Sequence, residues 1–256
     1  MPLFANDLSQ CIIALGEKLM TQHLNNNTKG LLYGIGVGPG DSGLITKKAI
    51  EIIEKADVLI VPGKDSKSCR AYSIVEGAIP GIKEKQCEFM PFPMSMKEPE
   101  LSEFHRSVAD RIEYFLDDGK SVGFLTIGDV SIYSTFDYID KLVKADGYET
   151  EYVSGIPSFV AAAARLGMPL AIGSEEIHII PGSADISEAM KLKGTLIFMK
   201  SGKALMDLKR LLMEQETIRN ISVSAVSNCG MDNEVVALGA SNICEESGYL
   251  TVVIVR

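Results

Sequence analysis

The chain has 256 residues, enough for one large domain or two of ordinary size, and 46% of them are hydrophobic. The net charge of −9 argues against broad binding to a phosphate backbone, although a locally basic cleft could hold a small anion. No apolar run reaches the roughly 18 residues of a membrane span, and we recognise no export signal. Five scattered cysteines fit a reducing cytosol better than disulfides or a zinc site. We therefore expect a cytoplasmic protein with no nucleic-acid partner, no membrane partner and no bound metal.

Apolar periodicity predicts alternating strands and helices in the first half of the chain. Residues 1–29 form a separate segment, for which we predict a short amphipathic helix and a polar linker. Strands are then predicted at 31–38, 57–63, 121–129 and 148–155. Helices are predicted at 43–56, about 67–76, 102–119 and 134–146. Residues 83–100 contain three prolines and are expected to be irregular. This alternation predicts a mostly parallel sheet with helices on both faces.

The second half is richer in strands. A helix of small residues is predicted at 157–167, and a longer helix at 203–215. Strands are predicted at 177–182, 195–200, 221–230, 233–240 and 248–256. We therefore divide the α/β fold into a helical extension (1–29), an α/β domain with a parallel sheet (30–155) and an α/β domain with a mixed sheet (156–256).

The first glycine-rich turn, Gly38-Pro39-Gly40-Asp41-Ser42-Gly43, matches the GxGxxG pattern, which is a weak signal by itself. The dinucleotide-binding motif requires an acidic residue at the end of the second strand, but that strand ends in "VPGK". Pro39 also removes a backbone N–H that a pyrophosphate would need. The loop is therefore not expected to hold phosphates. Its simplest structural role is a tight turn in which Asp41 caps the following helix.

Three further turns follow predicted strands. "TIGDVSIYSTF" (126–136) lies after a buried strand, where the ligands of open α/β sheets bind. "VSGIPSFVAAAARLGMPLA" (153–171) begins a helix with a free first turn of N–H groups, and "LIFMKSG" (196–202) ends a strand in Met199 and Lys200. Each turn alone is better explained by ordinary packing or turn formation.

In this order, however, the motifs resemble those of the tetrapyrrole methylases, which use S-adenosylmethionine. The resemblance rests on "GIGVGPGD", "GDVSIYSTF", "GIPSFVAAAA", "TLIFMK" and "VSNCGMDNE", and covers about residues 30–256. Within the family, "FPM" at 92–94 and the flanks of two motifs are most similar to the precorrin-2 C-20 methyltransferases of cobalamin synthesis. The chain departs from the family at Val130, where proline is usual after the aspartate.

This resemblance implies two αβα domains with a cleft between them, usually in a homodimer. It implies that S-adenosylmethionine binds folded and leaves as S-adenosylhomocysteine, and that the acceptor is a tetrapyrrole. The implied donor contacts come largely from backbone groups, and the residues are Ile127, Gly128, Asp129, Ile132, Ser158, Phe159, Met199, Asn228 and Cys229. The glycine loop (Gly38, Pro39, Gly40) and Arg70 are implied to face the acceptor.

Methylation of a meso carbon also requires the loss of a proton there. Asp41 is our first candidate for this polar role, as base or as anchor of a pyrrole N–H, followed by Tyr72 and Tyr133. Arg70, Lys64 and Lys200 could bind acceptor carboxylates, although each taken alone is better explained as a solvated surface charge.

The three histidines are not assigned to the reaction. His178 is read as a strand residue, and His23 and His105 as peripheral helical residues.

Several alternatives remain open at this point. The same fold could methylate another tetrapyrrole position, a diphthamide precursor or ribosomal RNA, although the charge weighs against RNA. An NAD-dependent oxidoreductase is disfavoured by the missing ribose acid, and a catalytically silent binding module is a further alternative. The sequence does not decide whether the acceptor carries cobalt.

Overall fold

The computed structural model describes residues 29–92, 97–244 and 248–256. The helix predicted within residues 1–29 lies outside the described residues, as do positions 93 and 94 of the "FPM" motif. None of the described helices is long and apolar enough to cross a membrane.

The first half forms a five-stranded sheet in the order β3-β2-β4-β1-β5, and all of its pairings are parallel. Its strands are β1 (Leu31–Gly36), β2 (Val58–Pro62), β3 (Gln86–Met90), β4 (Val122–Thr126) and β5 (Glu149–Val153). Its helices are α1 (Lys47–Lys55), α2 (Arg70–Ala78), α3 (Glu100–Asp117) and α4 (Phe136–Ala145), with 3₁₀ turns at Ser42–Leu44 and Pro80–Glu84. Two apolar clusters cover the opposite faces of this sheet, as predicted for a parallel sheet.

Helix α1 begins later than the sequence pattern predicts. Asp41 caps the 3₁₀ turn, where its Oδ1 accepts from Gly43 N at 2.7 Å. The α-helix has a second cap, Thr46, whose Oγ1 accepts from Ala49 N at 3.1 Å. The apolar periodicity ran through the break because Ile45, which lies between the two pieces, is buried in the same cluster as Ala49 and Ile53 of α1, whereas Leu44 packs against a different cluster.

The segment 83–100 was expected to be irregular, and this expectation was wrong for Gln86–Met90, which forms β3. The prolines do not interrupt this strand, since Pro91 follows its last residue. β3 lies at the edge of the sheet and pairs only with β2 among the described strands, which explains its weak apolar pattern.

The second half forms a five-stranded mixed sheet in the order β6-β7-β10-β8-β9. Its strands are β6 (Ile177–Pro181), β7 (Thr195–Met199), β8 (Val223–Ser227), β9 (Val235–Leu238) and β10 (Thr251–Val255). Its helices are α5 (Ser158–Arg165), the short α6 (Ile186–Ala189) and α7 (Leu205–Ile218), with 3₁₀ turns at Gly202–Ala204 and Ala240–Asn242. β6 and β7 are parallel and the other neighbours antiparallel. The domain boundary at 155/156 stays a prediction.

Candidate functional site

A cavity of about 1040 Å³ lies at the carboxyl ends of the parallel strands and is lined by residues from both halves of the chain. Open α/β sheets bind their ligands at this edge. Because β10 runs antiparallel to β7, its first residues lie beside the last residues of β7, with Val252 opposite Met199. The cavity therefore has one wall from each sheet.

Most residues predicted for the site line this cavity. They are Pro39, Arg70, Ile127, Gly128, Asp129, Ile132, Tyr133, Ser158, Met199, Lys200 and Cys229. The other predicted residues are not part of its lining: Gly38, Gly40, Asp41, Lys64, Tyr72, Phe159 and Asn228. The binding and catalytic roles of both groups stay predictions.

Gly128 joins the two glycine-containing turns of the first sheet. Its N–H donates to Gly38 O at 2.8 Å, and Gly38 N donates back to Gly128 O at 3.2 Å. Its φ of +77° favours glycine, because most L residues are strained there. A Cβ at this position would have Ser158 N as its nearest contact, at 4.0 Å, and would otherwise enter open space. Gly128 therefore keeps its turn closed and leaves room in the cavity.

Asp129 holds the turns around the cavity together. Its side chain is buried, and Oδ1 accepts from Ser131 N at 2.8 Å and from Ser131 Oγ at 2.5 Å. Its Oδ2 accepts from Gly155 N at 2.9 Å. Both carboxylate oxygens are thus engaged within the protein. The side chain therefore positions the surrounding turns, and the donor contact implied for the backbone groups of Asp129 stays a prediction.

The first turn of α5 offers backbone donors beside this cavity. Within the described part of the chain, no group accepts from the N–H of Ser158 or Phe159. The side chain of Phe159 is buried in the apolar cluster that includes Met199 and Cys229. These free N–H groups, with the positive end of the helix dipole, suit an electron-rich or anionic group.

Non-glycine residues with positive φ gather around the cavity. Among the described residues there are three: Tyr133 (φ 50°), Lys200 (φ 54°) and Asn228 (φ 50°). Tyr133 and Lys200 line the cavity, and Asn228 precedes the lining residue Cys229. Such conformations cost about 1–3 kcal/mol each and cluster at functional sites. Their positions agree with the choice of this cavity as the site.

Tyr133 and Lys200 also connect the two halves. The Tyr133 hydroxyl donates to Ile179 O at 3.2 Å, and Lys200 Nζ donates to the carbonyl oxygen of Tyr133. Lys200 therefore has a partner inside the protein, which leaves its predicted role toward a carboxylate without geometric support.

The first glycine loop is packed between turns of both halves. A Cβ at Gly40 would lie 2.2 Å from Cys229 O, and a Cβ at Gly230 would lie 2.6 Å from Asp41 N. Only glycine allows such close approach of two backbones. The Asp41 side chain is exposed at this junction and engaged in its cap, so its predicted role toward an acceptor stays a prediction.

Tyr72 lies on α2 and is only 4% exposed. Its ring packs against Phe89, with 5.5 Å between ring centroids, and burial raises the pKa of its phenol. The structure therefore places Tyr72 in the core, and its predicted catalytic role has no support from the geometry.

Arg70 lines the cavity at the start of α2 and is exposed. The loop before it carries Lys64 and Lys67, which are also exposed. The side chains of these three cations have no ion-pair partner within the described residues. They form a free basic rim on a chain of net charge −9.

His105 was predicted to be peripheral, and that prediction was wrong. Its side chain is 6% exposed, lines the cavity and stacks on Tyr138 with ring centroids 4.9 Å apart. The helical pattern was correct, but it did not show that this face of α3 borders the carboxyl edge of the sheet. His178 is a strand residue as predicted, and its Nε2 lies 2.9 Å from Lys193 O.

The contribution of β10 and of the residues directly before it was not predicted from the sequence. Tyr249, Leu250, Thr251 and Val252 line the cavity, as do Pro157 and Tyr152. An apolar strand does not reveal its direction, so the antiparallel placement of β10 was not predictable. For Pro157, the one sequence signal of a place at the site was its position at the start of a predicted helix.

The cysteine thiols at the cavity are not activated. Burial raises the pKa of Cys69, and burial with the nearby Glu234 carboxylate raises the pKa of Cys229 to about 11.

Within the described residues, no group of three or more His, Cys, Asp or Glu side chains is arranged to hold a metal ion.

Comparison with known proteins agrees with the fold. Residues 31–241 match the sequence model of the Tetrapyrrole (Corrin/Porphyrin) Methylases. The chain is 34% identical over 232 residues to the "Probable cobalt-precorrin-2 C(20)-methyltransferase" of Methanocaldococcus jannaschii, which covers 88% of this chain and 95% of that protein. It is 33% identical over 189 residues to the cobalt-precorrin-2 C(20)-methyltransferase of Salmonella typhimurium, which covers 72% of this chain and 78% of that protein.

Solved structures share the fold. The uroporphyrin-III C-methyltransferase of Thermus thermophilus, in complex with S-adenosylhomocysteine, superposes with a TM-score of 0.65 at 17% identity, covering 88% of this chain and 97% of that chain. A cobalt precorrin-4 methyltransferase superposes with a TM-score of 0.66 at 21% identity, and the match covers 88% of this chain and 94% of that chain. The family match over most of the chain and the two relatives above 30% identity lead to one conclusion: this chain belongs to the tetrapyrrole methylase family.

Proposed function

We propose that this protein transfers a methyl group from S-adenosylmethionine to the C-20 meso carbon of precorrin-2 or cobalt-factor II in cobalamin biosynthesis. The observation that carries the proposal is the 34% identity to a relative named for C-20 methylation, which extends over 88% of this chain. A homodimer and a cytoplasmic location belong to the same proposal.

The cavity fits the donor. Gly128 leaves open space next to Ser158 N, and the free N–H groups of Ser158 and Phe159 can bind the donor's electron-rich groups. Met199 adds a polarisable wall from the second sheet. When bound, S-adenosylmethionine supplies an electrophilic methyl group on a cationic sulfur. The task of the protein is then to position the acceptor carbon and exclude water, which can lower the barrier by several kcal/mol.

The same cavity suits a flat polycarboxylate acceptor. Its volume of about 1040 Å³ exceeds the needs of an ordinary small ligand. Pro39 on one wall and aromatic rings on another offer apolar contact to a macrocycle, and Arg70 offers a free cation to a carboxylate. Lys64 and Lys67 extend the basic rim outward from Arg70. We assign the acceptor to this side and the donor to the side of Ser158 and Met199.

An anaerobic incubation with S-adenosylmethionine and either precorrin-2 or cobalt-factor II tests the proposal, with products read by mass spectrometry. The expected result is the gain of one methyl group on one of the two acceptors, which also identifies the preferred form. No transfer to either acceptor, with S-adenosylhomocysteine still bound, would contradict the C-20 assignment. It would favour another acceptor for the same donor site.

A further inference from the structure

Methylation of a bridging carbon releases a proton, so the cavity needs a group that accepts it. The carbon uses a π electron pair to bond the methyl group, and the methyl–sulfur bond breaks with its pair left on sulfur. The carbon–hydrogen bond then breaks, its electron pair restores the π system, and the proton passes to a base. This inference rests on the proposed function.

Most titratable side chains that line the cavity already form hydrogen bonds with other groups of the protein. Asp129 accepts from Ser131 and Gly155, and Asp137 accepts from Lys141 Nζ at 2.7 Å. The Tyr152 hydroxyl donates to Asp140 Oδ2 at 3.0 Å.

The remaining lining groups include poor bases. Tyr133 donates its hydroxyl proton to Ile179 O, and Lys200 is a donor to Tyr133 O. Cys69 and Cys229 keep their protons, because burial raises the pKa of each thiol. The lining also includes the phenols of Tyr138 and Tyr249, and the Tyr138 ring stacks on His105. His105 is left as a neutral base.

The surroundings of His105 suit that task. Its imidazole is held between aromatic rings: Tyr138 at 4.9 Å, Phe92 at 6.2 Å and Phe104 at 6.3 Å between centroids. No described residue forms a hydrogen bond with either ring nitrogen of His105. Neither nitrogen is fully buried, so both remain accessible. A base with a free nitrogen at a cavity wall can accept a proton without first losing a partner.

Burial favours the neutral form of the imidazole. Burial lowers the pKa of His105 below its ordinary value of 6.5, and the Glu98 carboxylate only partly opposes this. From α4, the Tyr138 ring stacks on the imidazole, and the adjacent Asp137 has its charge paired with Lys141. A neutral imidazole is the form that can take up a proton.

We propose that His105 is the catalytic base that removes the proton from the bridging carbon of the tetrapyrrole after methyl transfer. The aromatic wall of Phe92, Phe124 and Tyr138 would then hold the macrocycle so that its bridging carbon meets the imidazole. Histidine is a common general base, and such a group typically contributes 10²–10⁴-fold in rate.

Two variants test the proposal. His105→Gln keeps a polar side chain, and His105→Phe keeps the stack on Tyr138, but neither can act as the base. We expect kcat to fall roughly 100-fold or more in both variants, with S-adenosylhomocysteine affinity unchanged by calorimetry. His178→Gln is the matched control, because that histidine lies outside the cavity lining, and it should keep the wild-type kcat.

An isotope effect and a pH profile distinguish a catalytic base from a residue with a merely structural role. With an acceptor deuterated at the bridging carbon, the Gln variant should show a larger isotope effect on kcat than the wild type. The wild-type kcat should fall as the pH drops through the lowered pKa of His105, and the variants should lack that limb.

The outcomes separate the two proposals. An active wild-type enzyme with variants of equal kcat, or slow variants without the increased isotope effect, would overturn the assignment of His105 alone. A wild-type enzyme that methylates neither acceptor would overturn the proposed function, and the role of His105 would fall with it.

Discussion

Replacing Gly128 by alanine tests whether the cavity beside it holds the methyl donor. The glycine has φ +77°, so alanine should cost about 1–2 kcal/mol of unfolding free energy through backbone strain. The added Cβ meets no atom of the protein closer than Ser158 N at 4.0 Å, so the fold itself has room for it. The new methyl group would instead occupy space that we assign to the donor.

Overpacking by a methyl group costs about 1–3 kcal/mol, which corresponds to a loss of about five- to 150-fold in donor affinity. Calorimetric titration with S-adenosylhomocysteine measures that loss, and denaturant unfolding measures the strain.

Gly147→Ala is the matched control. Its φ is +84°, its Cβ would also meet nothing within 4 Å, and it lies in the turn after α4, outside the cavity lining. Both variants should lose similar stability, and only Gly128→Ala should lose donor affinity. Equal, wild-type-like affinity in both variants would refute the placement of the donor at Gly128.

Three further substitutions have defined outcomes. Asp129→Asn presents an NH₂ group to Ser131 or Gly155, so it should cost about 1–3 kcal/mol of unfolding free energy and weaken donor binding; unchanged thermal unfolding would contradict the positioning role. Arg70→Ala should raise KM for the acceptor while calorimetry shows unchanged donor affinity, and the difference should shrink at high salt; an unchanged KM would remove Arg70 from the site. Tyr72→Phe should keep wild-type turnover, because its ring is a core residue; a loss of about tenfold or more in kcat would restore its catalytic role.

Periodicity predicted most helices and strands of the fold, because apolar faces must be buried wherever the sheets lie. It could not predict β3, whose edge position demands little apolar character. It also missed the late start of α1, since the cap at Thr46 lies within a continuous apolar pattern.

For the site, turns such as the one at Gly128 were located by their place after buried strands. The pairing of β10 with β7 depends on contacts distant in sequence, so the wall from Tyr249 to Val252 was not predictable. The place of His105 at the cavity was also not predictable, because it depends on packing against rings from α4 and from the segment after β3.

The position of the transferred methyl group tests the central claim most directly. The protein would be incubated anaerobically with a donor carrying a ¹³C-labelled methyl group and with the acceptor that the mass measurement selects. Carbon NMR of the isolated product would then locate the label. We expect one labelled methyl group, on the C-20 bridging carbon. A label on any other ring position would contradict it, while leaving the family and the donor site in place.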